Sequence, residues 1–285
     1  MGRHRLAWAA GAAAAAGFAI YAAAAWAAPG GVQFADNSPQ AVSVDVELVL
    51  AVDVSYSMDP DEQALQRQGY ALALTSKEFM QALRDGPHGK IAITYIEWAG
   101  EFDQKVIMPW RLIEGPESAD AVAAEISAAP YRRASRTSIS GGLLFASKLF
   151  EHSGYHGLRR VIDVSGDGAN NAGKLIVPVR DEVVAHGITI NGLPIMLKKP
   201  NPGTLDIAHL DWYYEDCVIG GPGAFAVPIR ERKQFIEATR EKLVQEIAGH
   251  WPAARLIPVS AAKPRIPCTI GETLWRNRWG GFDFH

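Results

Sequence analysis

The feature that most restricts the fold of this chain is a Val-rich apolar run, VELVLAVDV, at residues 46–54. Apolar residues follow one another there with almost no alternation, which is typical of a strand buried on both faces of a parallel sheet. Strand-like runs and helix-like segments then alternate to about residue 249. This order predicts an α/β protein with a doubly wound, mostly parallel sheet, one antiparallel edge strand and helices on both faces.

Local signals predict the individual elements. Asp59, Pro60 and Glu62 form a helix start with a capping box, and that helix is expected to run to about Leu83. Pro109 lacks an N–H, so its strand is expected at the antiparallel edge or at a bulge. The other predicted strands and helices are strands 90–99, 105–113, 159–166, 187–195 and 223–229, and helices 117–129, 138–151, 175–186 and 231–249.

The N-terminus differs in composition from the rest of the chain. Arg3 and Arg5 precede an Ala-rich apolar stretch that ends in Ala-Trp-Ala, so residues 1–27 are expected to be a signal peptide. Residues 6–28 are also long enough to remain as an inner-membrane anchor. We therefore expect an exported protein, periplasmic or secreted, that contacts a membrane only if this segment stays uncleaved.

The remaining chain divides by composition into three parts. A linker is expected over residues 28–43, the main domain over 44–249, and an extension that packs on the domain over 250–285. The chain has two cysteines, Cys217 and Cys268. Export makes a disulfide between them possible, and two separate buried thiols are the alternative. The formal net charge is −3 and the basic residues are scattered, so the sequence shows no footprint for nucleic acid.

Polar side chains follow two of the predicted strands. Asp53, Ser55 and Ser57 follow the first, Asp167 follows the fourth, and Thr137 lies in a loop before a helix. Sites in open α/β sheets form at the carboxyl ends of the strands. Two carboxylates and three hydroxyls are hard oxygen ligands, which suit Mg²⁺ or Mn²⁺. Since hydroxyls are neutral, such a metal would still attract an anion, for example a carboxylate of a partner protein.

Each of these residues also has a structural interpretation. Asp53 could be a loop cap. Ser55 and Ser57 could cap the next helix, although Asp59 is already suited to that role. Thr137 could cap its own helix, and Asp167 could be a turn residue.

The motif Asp-x-Ser-x-Ser, followed by Thr and then Asp, resembles the metal-ion-dependent adhesion site (MIDAS) of the von Willebrand factor A (vWA) domain. The segments LVLAVDVSYSMD, QRQGYA, RRVIDVSGDGANN, INGLPI and VIGGPGAFAV are similar, more closely, to the bacterial family DUF1194. The resemblance implies a vWA/Rossmann-like fold over residues 44–249. It also implies that Ser55, Ser57 and Thr137 bind the metal directly, with the Asp residues often acting through water. The wider family commonly has Thr-Asp-Gly where this chain has Gly-Asp-Gly at 166–168.

The expected function is therefore an exported, metal-dependent protein-binding domain that captures an acidic residue of an unknown partner. An enzyme is not expected, because no general base is evident beside the motif. The alternative is a metal-dependent, phosphatase-like hydrolase that uses the same strand-end Asp cluster. Phosphatases of the haloacid dehalogenase type typically carry Asp where this chain has Ser55, and that difference argues against the alternative.

Overall fold

A computed structural model describes residues 40–200, 205–248 and 264–279. The predicted signal peptide and most of the predicted linker lie outside these ranges, as do residues 250–263 and 280–285 of the predicted extension. Within the described ranges, no helix combines the length and the apolar character that crossing a bilayer requires.

The described strands form a five-stranded sheet in the order β3-β2-β1-β4-β5. β1 runs parallel to β2 and β4, and β5 runs parallel to β4. β3 is antiparallel to β2, with an irregularity between Ile93 and Tyr95 opposite Pro109. The predicted fold class is confirmed. The strands are β1 (Val42–Asp53), β2 (Ile91–Trp98), β3 (Gln104–Ile113), β4 (Tyr155–Gly166) and β5 (Ile188–Pro194).

Helices cover both faces of the sheet. The described α-helices are α1 (Pro60–Leu74), α2 (Lys77–Arg84), α3 (Pro116–Ala128), α4 (Ile139–Lys148), α5 (Ile176–Ala185), α6 (Leu210–Tyr213), α7 (Phe235–Ala248) and α8 (Ile270–Trp279). β1 supplies both cores because successive strand side chains point to opposite faces. Leu48 and Leu50 pack with Phe235 of α7, whereas Val49 and Ala51 pack on the side of α4 and α5.

Two predicted elements differ from the structure. The helix expected to run from residue 60 to about Leu83 is two helices, because Ser76 caps a new one: its Oγ accepts from the Phe79 N–H at 3.1 Å. The strand predicted at 223–229 is wrong, since this segment makes only single bridges, from Ala226 to Gly192 and from Ile229 to Ile195. Pro194 of β5 has no N–H to donate to the Val227 carbonyl oxygen, so the ladder is interrupted between those two points.

A disulfide and close helix packing join the C-terminal segment to the domain. Cys217 and Cys268 form a disulfide with a Cα–Cα distance of 5.5 Å. In α8, Gly271 lies so close to the backbone that a Cβ there would be 2.1 Å from the Asn170 carbonyl oxygen. Residues 264–279 are thus held against the loop that follows β4.

Candidate metal site

The site lies where the sheet reverses its winding direction. From β1 the chain continues to β2 and β3 on one side, and β4 and β5 lie on the other side. Parallel strands that diverge in this way leave a crevice at their carboxyl ends. Asp53 ends β1, and Asp167 follows directly after β4, so the fold brings both carboxylates to that crevice.

Asp53 is fully buried. Its Oδ1 accepts the Ser55 N–H at 2.7 Å, but Oδ2 has no hydrogen-bond partner among the described residues. Burial raises the pKa of Asp53 well above its usual value, and the nearby Asp167 carboxylate raises it further. An unpaired carboxylate oxygen in a buried position is costly unless a cation or a proton compensates it.

A chain of short hydrogen bonds links the two serines to Asp167. Ser55 Oγ lies 2.7 Å from Ser57 Oγ, and Ser57 Oγ donates to Asp167 Oδ1 at 2.5 Å. Burial raises the pKa of Asp167 to about 6, while Lys198 and the Ser57 hydroxyl act in the opposite direction. Three of the five predicted ligands, Ser55, Ser57 and Asp167, are therefore linked in one hydrogen-bonded chain.

Thr137 joins the group through its backbone. Its N–H donates to Asn171 Oδ1 at 3.0 Å, and its carbonyl accepts the Asn171 N–H at 2.8 Å. The Thr137 hydroxyl lies 3.7 Å from where a Cβ on Gly168 would stand, which places it beside the Asp167 loop. Ser138 caps α4, accepting the Gly141 N–H at 3.1 Å, so Thr137 is not needed as a cap.

Gly166 makes room for the buried carboxylate. A Cβ at this position would stand 2.8 Å from Asp53 Oδ2 and 3.2 Å from Tyr214 Oη. The contact with Asp53 Oδ2 is below about 3 Å, so a side chain at position 166 would force that carboxylate to move. The Gly in place of the wider family's Thr is therefore accounted for by the space that Asp53 and Tyr214 occupy.

The serines are also not used to cap α1. Asp59 is the N-cap: its Oδ1 accepts the Glu62 N–H at 2.8 Å, and Glu62 Oε2 accepts the Asp59 N–H at 2.9 Å. This capping box, predicted from the sequence, leaves the hydroxyls of Ser55 and Ser57 available for a ligand.

The donor set fits a hard divalent cation. In the described part of the chain, no group of three or more His, Cys, Asp and Glu residues could hold a metal. The five residues here differ from such a group, because two are carboxylates and three are hydroxyls. A cation would neutralise Asp53 and Asp167 and give Asp53 Oδ2 a partner. Mg²⁺ accepts such oxygen donors and retains several of its waters.

Comparison with known proteins decides the family. A model of a protein family of unknown function, DUF1194, matches residues 43–251. The chain belongs to the DUF1194 family. No curated protein matches this DUF1194 chain in sequence at a significant level.

Solved structures share the fold of the DUF1194 chain. Proximal thread matrix protein 1 from the mussel byssus has 15% identity and a TM-score of 0.51, over 73% of this chain and 49% of that one. A pilus adhesin, SpaC from Lactobacillus rhamnosus GG, has 13% identity and a TM-score of 0.51, over 73% and 31%. A von Willebrand factor type A protein from Catenulispora acidiphila has 15% identity and a TM-score of 0.48, over 72% and 43%. The shared region is thus less than half the length of each of these proteins.

Sequence reasoning missed Lys198 of the DUF1194 chain. Its Nζ lies 2.5 Å from Glu62 Oε2 and 3.1 Å from Asp167 Oδ2, and it donates to the Ser57 carbonyl oxygen. Lys198 follows β5, which ends at the same edge of the sheet as β1 and β4. This position after a predicted strand was the only sequence signal that could have indicated Lys198. No spacing rule connects a lysine to the Asp-x-Ser-x-Ser motif.

The helix α8 rests on two loops of the site. Arg136, which has a positive φ of 76°, places its guanidinium 3.6 Å from the centre of the Trp275 ring. Asn170 Nδ2 donates to Glu272 Oε1 at 2.7 Å. These contacts tie the loops that carry Thr137 and Asp167 to the C-terminal segment.

Proposed function

We propose that this chain is an exported binding domain that holds Mg²⁺ or Mn²⁺ at its strand-end site and captures an acidic residue of a protein partner. Asp53, Ser55, Ser57, Thr137 and Asp167 would hold the metal. The observation that carries the proposal is the buried Asp53 Oδ2, which has no hydrogen-bond partner among the described residues although a second buried carboxylate lies nearby.

The chemistry of the donors favours binding of an anion at the metal. The three hydroxyls add no negative charge, so a divalent ion keeps much of its attraction for a carboxylate. At the surface beside the site, the Tyr56 side chain is 61% exposed. Arg133 lies 5.4 Å from the Tyr56 ring centre. A protein partner bound at the metal could therefore also contact the exposed Tyr56 ring and the Arg133 guanidinium.

A related solved structure supports a divalent ion on this fold. The mussel byssus protein is also known with a zinc-occupied MIDAS motif, at 16% identity and a TM-score of 0.50 to this chain. For this chain we propose Mg²⁺ or Mn²⁺ instead, because oxygen donors without His or Cys suit harder ions.

Export is part of the proposal. The Cys217–Cys268 disulfide suits an oxidising compartment such as the periplasm or the cell exterior. Residues 1–27 would direct the export as a signal peptide, and an uncleaved segment 6–28 would instead anchor the domain at the inner membrane.

Metal binding is expected to stabilise the wild-type domain and not Asp53→Ala. Mg²⁺ or Mn²⁺ at 100 times its Kd should stabilise chelator-treated wild type by about 2.7 kcal/mol, which raises its melting temperature by several degrees. Asp53→Ala removes a buried carboxylate, so its metal-free form should remain folded while the metal-induced shift disappears. Asp61→Ala is the matched control, because the Asp61 side chain is 84% exposed and should leave the shift intact. Identical melting curves of wild type with and without metal would contradict the site.

The same variants test the captured partner. Immobilised wild type should retain a protein from the periplasmic fraction in Mg²⁺ but not in EDTA, and Asp53→Ala should retain none. Metal-dependent turnover of phosphoesters or peptides that is lost in Asp167→Ala would favour the hydrolase instead.

Metal affinity is expected to fall as the pH drops through about 6. Burial raises the pKa of Asp167 to about 6, so this carboxyl takes up a proton in that range. A metal ion must then displace the proton, which costs free energy that is absent at higher pH. Isothermal titration at pH 7.5, 6.5 and 5.5 should show progressively weaker binding for wild type. An affinity that is constant over these pH values would show that Asp167 does not exchange a proton for the metal.

A further inference from the structure

An ammonium group of the chain itself lies against the proposed metal site. Lys198 Nζ contacts Asp167 Oδ2 at 3.1 Å and Glu62 Oε2 at 2.5 Å, and it also donates to the Ser57 carbonyl oxygen. The Lys198 side chain is 34% exposed, whereas those of Glu62 and Asp167 are buried. The ammonium therefore closes the outer side of the site without itself being buried.

The two oxygens of Asp167 have different partners. Oδ1 accepts the Ser57 hydroxyl and so faces the hydroxyl cluster, while Oδ2 faces Lys198. A metal among the hydroxyls and the Lys198 ammonium would therefore be attracted by the same carboxylate. Glu62 is part of the α1 capping box and holds Lys198 from the other side, so the ammonium has an anchor that a metal does not remove.

We propose that Lys198 is a tethered cation that competes with the divalent metal for Asp167 and lowers the metal affinity of the site. The inference rests on the proposed function, because it concerns the same site. Two like charges that share one carboxylate repel each other, and in a partly buried setting this repulsion is only weakly screened by salt. Lys198 therefore sets the metal concentration above which the site is filled.

A purely structural role for Lys198 makes a different prediction. If the ammonium only neutralised Glu62 and oriented Asp167, its loss would leave metal affinity unchanged or would weaken it, since misplaced ligands bind metals less well. Competition predicts the opposite sign. The direction of the change in metal affinity thus separates the two roles.

The test is isothermal titration of chelator-treated full-length protein with Mg²⁺ and with Mn²⁺ at pH 7.5 and low salt. Lys198→Met is expected to bind the metal at least about tenfold more tightly than wild type. Lys199→Met is the matched control, because Lys199 is the exposed neighbour of the same charge and its loss should change the Kd by less than about twofold. Lys198→Arg keeps the charge and should stay close to wild type.

The outcomes distinguish this inference from the proposed function. Wild type that binds metal together with Lys198→Met that binds equally or more weakly overturns competition and leaves the metal site standing. If Lys198→Met binds the metal and wild type shows no detectable binding, the result supports competition, because the ammonium then excludes the metal from wild type. Absence of binding by wild type and Lys198→Met overturns the proposed function and this inference with it. Circular dichroism establishes folding of the variants, and Lys198→Gln replaces Lys198→Met if the latter does not fold.

Discussion

Lys242→Ala is expected to lower the free energy of unfolding by about 3–5 kcal/mol. Lys242 is fully buried in α7, and its Nζ lies 2.5 Å from Asp163 Oδ1 and 2.5 Å from Glu246 Oε1. Both carboxylates are fully buried as well. Removing the ammonium would leave two buried acids beside each other without a counter-charge, which is among the most costly single changes in a protein core.

Two polar side chains from other elements also contact this buried ion cluster. Asn191 Nδ2 donates to Glu246 at 2.9 Å, and the Tyr70 hydroxyl donates to Asp163 at 3.3 Å. Burial and, to a smaller extent, the neighbouring Asp163 raise the pKa of Glu246 to about 7, against the opposite effect of Lys242. The cluster connects α7, β4 and β5, so its loss should destabilise the docking of α7 on the sheet.

Urea unfolding of wild type and variants measures this effect. Lys233→Ala is the control, because the Lys233 side chain is 79% exposed and its removal should change stability by no more than about 0.5 kcal/mol. The triple variant Lys242→Met, Asp163→Asn and Glu246→Gln should recover most of the loss, since neutral replacement of a buried ion cluster is often tolerated. A loss below about 1 kcal/mol in Lys242→Ala would show that the cluster adapts by protonation.

Loss of the Cys217–Cys268 disulfide is expected to destabilise the protein by about 4 kcal/mol. The bridge spans 51 residues of sequence, and the chain-entropy relation for a loop of that length gives this magnitude. Cys217 is fully buried among the residues that pack beneath α5, so the bridge also fixes the segment that leads into α8. The restriction of the unfolded chain and the fixing of this segment both stabilise the folded protein.

Thermal unfolding with and without a thiol reductant tests the disulfide. Wild type should melt at a lower temperature when reduced. The double variant Cys217→Ser with Cys268→Ser should melt near the reduced wild type and should not respond to the reductant. Equal melting of oxidised and reduced wild type would mean that the bridge adds no stability.

Much of the architecture was predictable from local patterns. The run that forms β1 is apolar on both faces, which restricts it to the middle of a parallel sheet, and β1 lies between β2 and β4. Asp53, the carboxylate at the end of this run, therefore had to lie at the carboxyl edge of the sheet. The capping box at Asp59 was equally local and is confirmed. The division into α1 and α2 at Ser76 was not predicted, because the apolar periodicity continues through both helices and Ser76 was not recognised as a second N-cap.

The amino-acid sequence by itself determined the fold class, the family and the edge of the sheet where the polar residues gather. Each of these follows from burial patterns and motifs within a few residues of the chain. Only the tertiary structure decided that Lys198 lies on Asp167, that Lys242 lies between Asp163 and Glu246, and that α8 rests on the site loops. These contacts join residues from different elements, and their geometry is set by the packing of those elements, which no local pattern records.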